Sequence, residues 1–182
     1  MIIREAEPSD AAMLAEVHVD SRRTAYRDIL PQEYLASLSY REWADFWQDV
    51  LDDPKPETHI FVAQDEPGRI VGFAYGGPPQ EETAEESEVY AIYLAENSQG
   101  QGLGRRLMNA LVDKLAENGA ASLMLWCFEQ NQIARRFYAS LGGETTEERQ
   151  TERAGVPVTE IAYRWRHITA LRQALAAPRR AT

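Results

Sequence analysis

The sequence predicts an α/β chain built on a mixed sheet with helices on both faces. Three observations carry this reading. Helical patterns come first, then a strand hairpin, then the order strand–helix–strand–helix–strand–strand. A β-branched and aromatic run, "VYAIYLA" at 89–95, feeds a glycine-rich loop and then a strongly amphipathic helix at 103–119. The 182 residues suit one domain, with no internal repeat and no linker long enough to divide them.

Each element has a local cause. "MIIREA" alternates weakly and predicts a short strand. A helix is expected over 8–30, capped by Ser9, with Leu14, Ala15 and Val17 on its apolar side. Pro31 opens a short helix, "PQEYLASL". Ser39 caps a third over 40–53, where Trp43, Phe46, Trp47, Val50 and Leu51 recur at helical spacing; Pro54 and Pro56 end it. "HIFVAQD", "EPGR" and "IVGFAYGG" form strand, turn and returning strand. "PPQEETAEESE" is an acidic loop, of the kind usually solvated. After the strand at 89–95, Leu103, Leu107, Leu111 and Leu115 make one helical seam that Gly119 stops. "ASLMLWCF" is a strand, and "NQIARRFYASLGG" a helix with Asn131 as cap. The chain then makes a long hairpin turning near "AGVP". Residues 168–182 begin as a helix and fray into a tail.

Composition narrows the function. The net charge of −10 argues against nucleic-acid binding, which needs a basic footprint, and favours cationic substrates such as amines. Any anionic ligand must therefore be held by local features. No apolar run approaches the roughly 20 residues of a membrane helix, and the N-terminus lacks a signal-peptide pattern. The cytoplasm is the expected location. Cys127 is the only cysteine, so an internal disulfide is excluded. His18, His59 and His167 make no close pair, so no metal is expected.

The loop "ENSQGQGLGRRLM" (96–108) decides between phosphate-binding motifs. A P-loop needs Gly-Lys before Ser or Thr, and here Gly104 precedes Arg105 and Arg106. A dinucleotide fingerprint needs a third glycine where Arg105 stands. The pattern Gln/Arg-x-x-Gly-x-Gly/Ala is matched by Gln99, Gly102 and Gly104. With it, residues 87–120, "LWCFEQNQIARRFYASLGG", "YRDILPQEYLASLS" and "VTEIAYRW" make the chain resemble the GCN5-related N-acetyltransferases (GNAT), over roughly residues 2–166. The resemblance implies an acyl-CoA N-acyltransferase fold, with a central, mostly antiparallel mixed sheet flanked by helices. It implies an N-acetyltransferase domain over 2–167 and a C-terminal helix or tail over 168–182. It implies acetyl-CoA as donor cosubstrate, without a metal. The acceptor would be a small-molecule amine or a protein N-terminus. Homodimers are common in the family, a point the residues leave open. The rival reading is a non-catalytic acyl-CoA-binding module of the same fold.

The physics of the loop agrees with the resemblance. A helix N-terminus leaves N–H groups unpaired with partial positive charge, and glycines let a pyrophosphate approach them. Gly100, Gln101, Gly102, Leu103, Gly104 and Arg105 would supply that approach, with Arg105 and Arg106 adding local charge. The resemblance further implies that Ile92 and Leu94 pair with the pantetheine arm through backbone. A bulge would free an N–H, that of Leu94, to polarise the thioester carbonyl. Tyr138 would protonate the leaving thiolate, or else is a core aromatic. Asn131 would bond pantetheine, cap its helix, or both. Glu88 would accept the amine proton, or else belongs to the solvated acidic run. Tyr26 and Tyr90 are acceptor-pocket candidates, while Trp43 and Trp47 read as core or groove wall. Cys127, in an apolar strand, reads as a buried hydrophobe, so transfer would be direct.

Overall fold

The computed structural model describes residues 1–177. Strand β1 (Ile2–Glu5) precedes helices α1 (Ala11–Ala25), α2 (Gln32–Ser37) and α3 (Tyr40–Asp52). Strands β2 (His59–Gln64), β3 (Ile70–Gly77) and β4 (Glu88–Leu94) follow, then α4 (Leu103–Glu117), β5 (Leu123–Phe128) and α5 (Gln132–Ser140). The hairpin of β6 (Glu144–Arg153) and β7 (Val156–Trp165) leads to α6 (Ile168–Ala176). The seven strands make one sheet in the order β1-β2-β3-β4-β5-β7-β6. Every neighbouring pair is antiparallel except β4 with β5.

Helices cover both faces, as expected. The α4 seam of Leu103, Leu107, Leu111 and Leu115 is buried against Leu125, Trp165 and Leu171. On the opposite face Leu14 and Trp47, from α1 and α3, close over Val62 and Phe73. Helix α6 belongs to the α4 side, where Ile168, Leu171 and Leu175 are buried. Residues 178–182 of the expected tail lie outside the described residues.

Several local signals act as the sequence predicts. The Ser39 hydroxyl accepts the Glu42 N–H at the start of α3. Gly119, at φ 98°, ends α4 with paired bonds, Ala120 N–H to Leu115 O and Gly119 N–H to Ala116 O. Ala154 and Gly155, at φ 53° and 75°, form the two-residue turn between β6 and β7. Strand β6 is a sheet edge, blunted by its charges and by a bulge between Thr145 and Glu148.

The first helix departs from expectation at both ends. Ser9 does not cap it. Pro8–Asp10 form a 3₁₀ turn, and the Asp10 carboxylate accepts the Glu7 N–H at 2.8 Å. Asp10 is also clamped by Arg4 at 2.6 and 2.9 Å, a strand-to-helix tie invisible to local pattern. At the other end α1 stops at Ala25 rather than Leu30. A tertiary contact overrides the helical pattern there: the Tyr26 hydroxyl sits 2.9 Å from that of Tyr93 on β4.

Candidate active site

The sheet opens in its middle. Strands β4 and β5 pair at Glu88 and Met124, where the Met124 N–H donates to Ser87 O at 3.0 Å. No further β4–β5 pair forms among the described residues. On its other side β4 stays with β3, and the register jumps from Val89–Gly76 to Ala91–Tyr75. The bulge residue is therefore Tyr90, and not a residue beside Leu94. Beyond it, the Ala95 N–H donates to Val71 O at 2.9 Å. Alternation along an antiparallel ladder then turns the N–H and C=O groups of Ile92 and Leu94 away from β3, toward the gap. The Leu94 carbonyl is already engaged, by Ser21 Oγ at 3.2 Å and Gln99 Nε2 at 3.3 Å. A groove of ≈ 1490 Å³ runs through this gap, walled by β4, β5, α5 and the end of α1.

One end of the groove reaches the start of α4. Gly100 and Gly102 adopt φ of 74° and 84°, which favour glycine. Gly102 is the N-cap and offers no side chain to the first turn. The first helical bond is Arg106 N–H to Gly102 O, so the N–H groups of Leu103, Gly104 and Arg105 precede the ladder. Gly104 matters for approach, since a Cβ there would lie 3.3 Å from a Leu94 methyl. The side chains of this loop are turned to structural work. Gln101 bonds Asn97 O at 3.0 Å. Arg105 donates to Leu175 O at 2.9 Å and Ala177 O at 3.0 Å, at the end of α6, and Arg106 to Met1 O at 3.3 Å. The expected local charge is present, but both guanidinium groups bond elsewhere.

Tyr138, on α5, lines the groove yet is only 7% exposed. Burial, then the nearby Cys127, Tyr93 and Tyr163, hold its phenol well above the ordinary tyrosine range. Its ring packs on Phe137, Tyr163 and Trp165, so it is a core aromatic as well as a wall. Asn131 caps α5 by accepting the Ala134 N–H at 3.1 Å, and also lines the groove. Cys127 is buried, and burial pushes its thiol up to about 12, so it carries little thiolate.

Glu88 is not part of a solvated run. It is 8% exposed, lines the groove and accepts the Gln80 N–H at 2.8 Å. Burial raises its pKa, against the lowering effects of the Gln80 bond and Arg149. Other acids of that loop are also engaged: Glu81 with Arg149 at 2.6 Å, and Glu85 with Arg164 at 3.5 Å.

Both tyrosine candidates face the groove. Tyr26 bonds Tyr93 and meets the Phe128 ring edge-on at 4.9 Å. Tyr90 donates its hydroxyl to Pro78 O and packs on Tyr75. Five further residues stand in the groove that the sequence reading did not select. Arg149 lies 3.9 Å over the Trp126 ring and 2.7 Å from Glu160, which also pairs with Arg153 at 2.9 Å. Arg22, on α1, is the fifth. Glu160 had a readable signal: alternation in β7 puts it on one face with Val158 and Ala162, both buried. Arg22 had one too, standing one helical turn after His18 on a buried stripe. Among the described residues no three His, Cys, Asp or Glu side chains converge, and no helix is long and apolar enough to cross a membrane.

Comparison with known proteins gives this geometry a family. The family model for the Acetyltransferase (GNAT) family matches residues 20–142. The uncharacterized N-acetyltransferase YuaI of Bacillus subtilis (strain 168) is 40% identical over 174 residues, covering 95% of this chain and 97% of that protein. Among solved structures, a ribosomal-protein-alanine N-acetyltransferase from Brucella melitensis superposes with a TM-score of 0.71 at 22% identity, covering 91% of this chain and 99% of that one. The PaiA N-acetyltransferase from Thermoplasma acidophilum, in complex with coenzyme A, gives 0.69 at 18% identity, covering 90% and 98%. The two structural likenesses speak for the fold, and the family match and YuaI for kinship. The chain is a member of the GNAT family of acetyltransferases.

Proposed function

We propose that the chain transfers an acetyl group from acetyl-CoA to a primary amine, by direct attack in a ternary complex. The observation that carries this is the alignment of the β4–β5 gap with the opened start of α4. A gap lined by unpaired strand N–H groups suits the amides of a pantetheine arm, and a glycine-opened helix start suits a pyrophosphate. Residues 2–167 are taken as the transferase domain, with a cytoplasmic location.

The roles follow from chemistry. Gly100 through Arg105 receive the pyrophosphate through backbone. Ile92 and Leu94 offer N–H groups to the arm, and one of them polarises the thioester carbonyl. Glu88 accepts the amine proton, directly or through water; its raised pKa makes it a stronger base than a solvated carboxylate. Tyr138 keeps its proton at neutral pH and is the acid for the departing thiolate. The same apolar surroundings that raise the phenol also raise the thiolate's affinity for a proton. Asn131 adds a polar contact beside the arm. Tyr26 and Tyr90 shape the acceptor pocket. Cys127 is too weakly acidic to form an acyl-enzyme, which favours direct transfer.

The test is release of free CoA thiol from acetyl-CoA across a panel of amines. Acceptor-dependent release with stoichiometric amide product is expected. Acetyl-CoA binding without release for any amine would overturn the proposal in favour of a binding module.

A further inference from the structure

We infer that the acceptor carries a carboxylate, received by Arg22, so that the substrate class is a small amino carboxylate; this rests on the acetyl-transfer reading above. The chain is acidic overall, with a net charge of −10. The other arginines in the groove are either committed to partners or solvent-exposed. Arg149 and Arg153 share Glu160, Arg27 lies 3.8 Å from Asp28, and Arg105 is spent on carbonyls of α6. Arg22 has no acidic partner among the described residues. Its Nη2 donates to the Tyr34 hydroxyl at 3.2 Å, and its Cζ stands 5.6 Å from the Trp43 ring and 5.8 Å from that of Tyr26. Its Nε is buried without a partner, and Nη1 has no hydrogen bond either, among the described residues; the side chain lines the groove.

A guanidinium held between aromatic walls with an open edge is a receptor for a planar anion. It is already desolvated on its faces, and most of its five donors are unspent. A carboxylate would make charge-assisted hydrogen bonds in a site of low polarity. Position bears on the size of the acceptor. Tyr26 touches both Arg22 and Tyr93, and Tyr93 is the neighbour of Ile92 and Leu94, whose N–H groups face the gap. Two aromatic side chains, Tyr26 and Tyr93, thus link the anion receptor to the reacting strand. Receptor and reacting strand line one groove, which suits an acceptor that carries its amine and carboxylate in one small molecule. This favours a free amino acid or close analogue over a protein N-terminus, whose nearest carboxylate is variable.

The experiment compares the standard amino acids with their carboxamides as acceptors, by CoA thiol release, in the wild type, Arg22→Gln and Arg22→Lys. Calorimetry with acetyl-CoA and a thermal melt accompany each protein. The wild type is expected to prefer a carboxylate over its carboxamide by about 10- to 100-fold in kcat/KM, the worth of a charge-assisted bond. In R22Q that ratio falls toward one, chiefly through KM, with R22K between. Transfer to amides as good as to acids, or an unchanged ratio in folded R22Q, overturns the carboxylate inference and leaves acetyl transfer standing. Thiol release with none of these acceptors overturns the inference as well, and calorimetry then tells whether the acetyl-CoA site itself has failed.

Discussion

The carboxylate of Glu88 accepts the backbone N–H of Gln80 at 2.8 Å, closing the acidic loop onto the first residue of β4. This residue is also the one that still pairs with β5 before the strands part. A buried carboxylate held by one neutral donor is costly when charged, and burial is the largest reason its pKa is raised.

Glu88→Gln should therefore stabilise the fold while removing the proposed base. The sign follows from linkage. A carboxyl whose folded pKa is raised costs nothing below its unfolded value near 4.3, where both states are protonated, and costs most above the folded value. The gain in Tm for E88Q should thus be small near pH 4 and larger at pH 8, measured by thermal melts. Acetyl transfer should fall by roughly 10²-fold or more. A Tm gain that shrinks with pH would contradict the assignment.

Tyr138→Phe separates chemistry from binding. The ring contacts with Phe137 and Tyr163 survive the change, and only the hydroxyl is lost. A fall in kcat of roughly 10²-fold is expected, with acetyl-CoA affinity changed by less than about threefold. A wild-type kcat would remove Tyr138 from the reaction.

The α4 cap offers a matched pair. Gly102 sits at φ 84°, a conformation Asn tolerates better than most residues. Gly102→Glu adds both strain and a carboxylate beside the N–H groups of the first turn. Calorimetry should find acetyl-CoA binding abolished in G102E and weakened by less than about tenfold in G102N. Equal loss in both would point to backbone strain alone.

Arg105→Ala asks whether that arginine serves the donor or the fold. Its guanidinium bonds the carbonyls of Leu175 and Ala177, so the loss should appear as a lower Tm, by about 1–3 kcal/mol of stability. Its backbone N–H is untouched. Acetyl-CoA affinity should change by less than about threefold, and a tenfold loss would show that the side chain reaches the ligand.

Much of the fold was legible because its causes are local. The leucine seam of α4, the Gly119 stop, the Ser39 cap and the Ala154–Gly155 turn each rest on residues within one element. Ser9 misled because Asp10, held by Arg4 on β1, closes a 3₁₀ turn around it, and α1 stopped early because Tyr26 answers to Tyr93. The glycine-opened start of α4 was legible for a related reason: strand, loop and helix are contiguous in sequence. The rest of the groove draws Arg22, Trp126, Arg149 and Glu160 from separate elements, and only their pairing gives them meaning. Charge count alone could not tell the committed arginines from the uncommitted one.

The single pair at Glu88 and Met124 has a mechanical meaning. The sheet is two antiparallel rafts, β1–β4 and β5–β7–β6, hinged at one point. Backbone bonds do not set how far apart the rafts stand along the slot. That spacing is left to a strut: α4 lies on the first raft, α6 follows from the second, and the two helices pack together. Arg105 fastens their ends at the mouth of the slot. The slot thus has a gauge block made of side chains, and the arginine in the first turn of α4 is its fastener.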